Sequence, residues 1–160
     1  MATLTAYVQA AVSQGNPGRK MYMVEKTVDL VAEVTDPSSD DVLQVLTIPA
    51  GSMIVSAGLE VIQNVTANTG TDVTVDLGTD VDDDEWVSAF DVDGAAVGDY
   101  APVAAAAAAE IHGAANTLDL TFAGSGASFT SGKVRVFALL MSVGVIGDKT
   151  AQEVDRDTLA

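Results

Sequence analysis

The chain has 160 residues, 48% of them hydrophobic and 19% charged, a size and balance that suit one folded domain with a sizeable core and exclude a disordered chain. It has no cysteine, which removes a disulfide framework, a thiolate zinc site and a cysteine nucleophile. Its net charge is −16, and from Thr27 to Gly132 there are eighteen Asp and Glu and no Lys or Arg, so a phosphate backbone would be repelled and no nucleic-acid partner is expected.

The opening, MATLTAYVQAAVSQGNPGRK, has no basic residue ahead of an apolar stretch and no apolar run long enough to cross a bilayer. Neither a signal peptide nor a membrane anchor is expected. Leu4, Val8 and Val12 suit one face of a helix, and Leu4, Ala6, Val8, Ala10 and Val12 suit one face of a strand. GNPGRK then separates this stretch from the rest of the chain, so residues 1–20 read as an arm hinged to a body over 21–147, with a polar tail over 148–160.

MYMVEKTVDLVAEV (21–34) alternates, with Tyr22, Val24, Lys26 and Val28 on one side and Met23, Glu25, Thr27 and Asp29 on the other. That predicts a half-buried strand with a bulge or bend near Leu30 and Val31, followed by a turn at TDPSSDD. VLQVLTIPAGSMIVSAGLEVIQNV reads as two paired strands joined tightly at Pro49-Ala50-Gly51, carrying Leu43, Val45, Thr47, then Met53, Val55 and Leu59. After a turn at TANTGTD, Val73, Val75 and Leu77 predict a short strand with those three inward. DDDEWVSAF (82–90) places acids in a first turn ahead of Trp86, Val87 and Phe90 at helical spacing, which predicts one short helix; the alanine run 104–109 is a second helical candidate. TLDLTFA alternates again. KVRVFALLMSVGVI (133–146) reads as the longest apolar strand, with Lys133 and Arg135 on one side at its start as a second candidate attachment edge. The fold class is all-β, a single-domain β-sandwich or jelly roll with an N-terminal arm.

The residues that carry chemistry elsewhere lack partners or spacing here. Asp80, Asp82 and Asp84 hold the first three ligand positions of an EF-hand loop, but Glu85 stands at the turn glycine and Asp91 at the bidentate glutamate, so a solvated acidic loop is expected, with a weak Ca²⁺ or Mg²⁺ site as the alternative. His112 is the sole histidine and is expected on a loop or the surface. No Ser lies in a nucleophile elbow, and neither GNPG nor GSG has the lysine of a phosphate loop. No catalytic residue, cofactor or metal ligand is assigned.

LTAYVQAAVSQGNPGR, MVEKTVDL, VLTIPAGSMIVSAGLEVI, VDLGTD with the acids after it, FDVDGAAVGDYAP and GKVRVFALLMSV resemble small virion structural proteins of tailed phages, above all those of marine and cyanobacterial podovirus-like phages. The resemblance implies a capsid decoration (cement) protein on the virion surface, a trimer clamping neighbouring major capsid protein subunits, with no enzymatic activity and no membrane partner. A tail or fibre module binding host glycan is the alternative. The arm supplies the expected capsid contacts: Leu4, Tyr7, Val8 and Val12 for apolar docking, Arg19 and Lys20 for charge.

Overall fold

The computed structural model describes residues 21–34, 41–68, 73–101, 109–123 and 128–143. These form nine strands and one helical turn: β1 (Met21–Asp29), α1 (Leu30–Glu33), β2 (Asp41–Ile48), β3 (Ser52–Ala67), β4 (Thr74–Gly78), β5 (Val87–Asp91), β6 (Tyr100–Ala101), β7 (Glu110–His112), β8 (Asn116–Ala123) and β9 (Phe129–Ser142). Sheet A runs β1-β9-β3-β6, with β7 also on β3, and sheet B runs β2-β8-β4-β5, every pairing antiparallel. Val28, Ile54, Leu59, Val61, Val136 and Leu140 of sheet A and Ile48, Val75, Leu77, Leu118, Leu120 and Phe122 of sheet B belong to one buried apolar cluster. The molecule is an all-β sandwich, as alternation and β-branched composition predict.

The bend after β1 is a built turn. Asp29 caps α1, its Oδ1 accepting from the amides of Val31 at 3.1 Å and Ala32 at 3.3 Å, while Glu33 Oε1 accepts from the amide of Asp29 at 3.1 Å. The period therefore shifts where the sequence predicts. Leu30 is buried by the change of direction.

Three expectations change. β2 and β3 do not pair: β2 lies on β8 and β3 on β9, so Pro49-Ala50-Gly51 carries the chain from sheet B to sheet A. A register shift between Gln44 and Leu46 also switches the inward set, burying Leu46 and Ile48 and leaving Thr47 exposed. The stretch 82–90 is not a helix. Its acids make a turn, and Val87–Asp91 hydrogen-bonds to β4 as β5, with a bulge at Ala89, whose φ is +49° and whose amide donates to Asp76 Oδ1. The first-turn acids satisfy a helix pattern, but Val87 and Phe90 face Leu77 and Val75 across a strand pair. Finally, β9 has 14 residues and starts at Phe129, and β3 is longer at 16. The alanine run 104–109, apart from Ala109, lies outside the described residues, as do the arm, the tail and the turn at 35–40.

Candidate functional site

Side chains alternate across a strand, and strands in register place their side chains in rows. On the outer face of sheet A one such row is Met21, Met141, Met53 and Ile111, across β1, β9, β3 and β7. Its two ends are open, Met21 59% and Ile111 63% exposed. The next row sets Met23, 63% exposed, beside Leu139. In the third, Glu25 stands beside Phe137, which faces Gly58.

Gly58 gives this face its relief. A Cβ there would stand 2.8 Å from Phe137 Cζ and 2.9 Å from Tyr100 Oη, and without it the two rings stack at 5.8 Å between centroids. Beside the stack is an open depression of about 230 Å³ lined by Met23, Glu25, Glu60, Tyr100, Arg135 and Phe137. Arg135 is held in place within it: Nε donates to Glu60 Oε2 at 3.1 Å, Nη2 bonds the same oxygen, and Nη1 lies 3.8 Å from Glu25. Glu60 holds the guanidinium further toward its charged form. A polar clamp thus stands in a methionine-rich apolar field.

Lys133 and Arg135, the second candidate for attachment, do not stand on an edge strand. β9 is interior to sheet A, between β1 and β3, and both cations are engaged, Lys133 with Asp29 at 2.9 Å and Arg135 with its two glutamates. Lys26 pairs with Glu33 at 3.0 Å. Among the described residues every Lys and Arg lies on β1 or β9, so sheet B carries acid without a cation of its own.

His112 is also corrected, being buried at 6% exposure. Its β7 pairs with the start of β3, opposite Ser52, which turns it toward the inner side with Ser52 and Ile54. The acidic loop is exposed from Asp80 to Asp84, and its last positions, from Val87 to Asp91, form β5. The carboxylates of Asp82, Asp83 and Asp84 offer oxygens within 4.8 Å of one another, and the hydrogen bond that a protonated Asp82 donates to the Asp84 carboxylate raises Asp82 above the ordinary carboxyl value. Leu4, Tyr7, Val8, Val12, Arg19 and Lys20 lie outside the described residues.

The apolar rows escape a reading that takes one face of each strand as buried. Met21 and Met23 fall on the side shared with Glu25 and Thr27, and the signal is that the polar side of β1 and the outward side of β9 are themselves apolar at one end.

No protein-family model matches the chain, and no curated protein matches it. Solved structures do. A chain of the "Cyanophage Pam1 capsid asymmetric unit" superposes with a TM-score of 0.60 at 17% identity, over 78% of this chain and 86% of that one. A chain of the "Capsid of Ralstonia phage GP4" does so with a TM-score of 0.54 at 14% identity, over 77% and 84%. A third, from the "Acidic stable capsid structure of Helicobacter pylori bacteriophage KHP30", gives 0.53 at 15%, over 80% and 93%. At such identities the likeness is one of fold, and the sandwich built here is a fold found in the capsids of three phages.

Proposed function

We propose that this protein is a structural component of a tailed-phage virion that decorates the capsid exterior as a trimer and clamps neighbouring major capsid protein subunits. The observation that carries the reading is the two-sidedness of the sandwich. Sheet A presents Met21, Met23, Met53, Leu139, Met141 and Ile111 as one outward apolar field, while sheet B is acidic. Contiguous apolar surface on a soluble chain marks a contact face, and methionine adapts its shape to a partner. An acidic opposite sheet suits the side turned to solvent. The three matched chains come from capsid structures, which supports the shell as the partner. The arm, through Leu4, Tyr7, Val8, Val12, Arg19 and Lys20, is proposed as a second contact; it precedes β1 in sequence.

The test is co-sedimentation with capsids that lack the protein. The native chain should bind in hundreds of copies per particle and in threefold groups, and the double variant Met23→Glu with Leu139→Glu should stay folded but lose binding, because two carboxylates would be desolvated in the contact. A folded double variant that binds as the native chain does would remove sheet A from the interface. A copy number of a few dozen would move the protein to the tail.

A further inference from the structure

We infer that the 79–84 loop and the buried carboxylate beneath it form a binding site for a hard divalent cation of the calcium class. The starting point is Asp119, on β8, only 6% exposed. No hydrogen-bond donor among the described residues reaches its Oδ1. Asp119 stands in register with Gly78, so both project on the outer face of sheet B. A Cβ on Gly78 would lie 2.0 Å from the Asp82 carbonyl oxygen and 2.4 Å from the Asp83 carbonyl carbon, so the backbone of Asp82 and Asp83 rests directly on the sheet at that point. The loop roofs Asp119.

The roof adds negative charge and oxygen donors, not cations. Asp80, whose Oδ1 accepts from Asn116 Nδ2 at 2.6 Å, repels a charged Asp119, and the Asp82–Asp84 carboxylates cluster on the loop outside. No Lys or Arg lies on any strand of sheet B. A buried carboxylate oxygen without a donor, under the backbone carbonyls of a loop that brings further carboxylates, is the kind of donor set a hard cation takes: oxygen ligands, more than one of them charged. Asp119 and Asp80 supply the charged ligands, and the exposed triad draws the ion to the loop.

Trp86 is the sole tryptophan, and its amide bonds the carbonyl of Leu77, next to Gly78, which makes it a reporter. The full chain, stripped with EDTA, should show terbium emission sensitised through Trp86, displaced by calcium chloride, and its melting temperature should rise with calcium. Asp119→Asn should weaken both responses by about tenfold or more, since even outer-shell partners of a metal contribute 10–100-fold. Asp80 is exposed, so Asp80→Asn should fold and weaken them too, which keeps the proposal testable if Asp119→Asn does not fold. Two results would overturn the proposal. One is no terbium emission and no melting shift at millimolar calcium. The other is native binding in both variants with loss only in Asp82→Asn/Asp83→Asn/Asp84→Asn, which would leave an exposed acidic cluster and no built site.

Discussion

A carboxylate under a loop titrates differently from one in solvent, and the sign of the effect is readable at Asp119. Burial first, and then repulsion from Asp80, raise its carboxyl above the ordinary 3.8, against a lowering hydrogen bond from Thr117. Folded Asp119 therefore holds its proton more tightly than the unfolded chain does. Its stabilising contribution is complete below 3.8 and is lost as pH rises through the raised folded value. Asp29 and Glu33 work the other way, held low by Lys133 and Lys26, so their contributions exist above the ordinary carboxyl range and fade as pH falls; both are partly exposed and weak. In EDTA at neutral pH, Asp119→Asn should melt at or above the native temperature and should gain less than the native chain on acidification. A lower melting point at neutral pH would mean the charged carboxylate is favourably held. From the sequence, Asp119 reads as the outward polar residue of an alternating strand, and only the path of a loop some forty positions earlier buries it.

Strand existence was legible because two-residue alternation is a local property; strand partnership was not. Val73, Val75 and Leu77 are inward as their spacing predicts, since β4 has one regular register along β8. β2 and β3, adjacent in sequence with a turn between them, belong to different sheets, because both edges of β3 are taken, one by β9 and the other by β6 and β7. Register shifts in β2 and β3 then break the simple inward count at Val45 and Val55. The misread helix at 82–90 has the same origin: Trp86, Val87 and Phe90 are apolar for a sheet and a loop, and a spacing of three and four cannot distinguish that from one helical face. β9, central in sheet A, gives the direct test of sidedness. Leu140 is fully buried and its neighbour Leu139 points outward. Leu140→Ala should cost about 2–5 kcal/mol by urea unfolding with little change in slope, and Leu139→Ala clearly less. Equal costs would mean that sheet A is covered on both faces within the isolated chain.

At the scale of the molecule the charge map and the apolar map are complementary. Cations among the described strands are confined to β1 and β9 and neutralised there, apolar side chains open outward on the same sheet, and the acid excess falls on the other. β1 begins at Met21, which follows Arg19 and Lys20 in sequence, and that first residue of β1 belongs to the apolar field rather than to the acidic sheet. Composition made the acid excess legible, but its segregation depends on which strands share a sheet. If residues 1–20 are the second attachment element, deleting residues 1–18 should leave the melting temperature of the sandwich nearly unchanged and abolish or strongly weaken binding to capsids stripped of the protein. Reversing the charges of Arg19 and Lys20 should weaken binding more at low salt than at high, because the Debye length of about 10 Å at 0.1 M salt already screens an exposed pair. A truncated chain that unfolds would make the segment part of the core. One that binds shells like the full chain would leave attachment to sheet A alone, and the Met23→Glu, Leu139→Glu variant would then have to remove all of it.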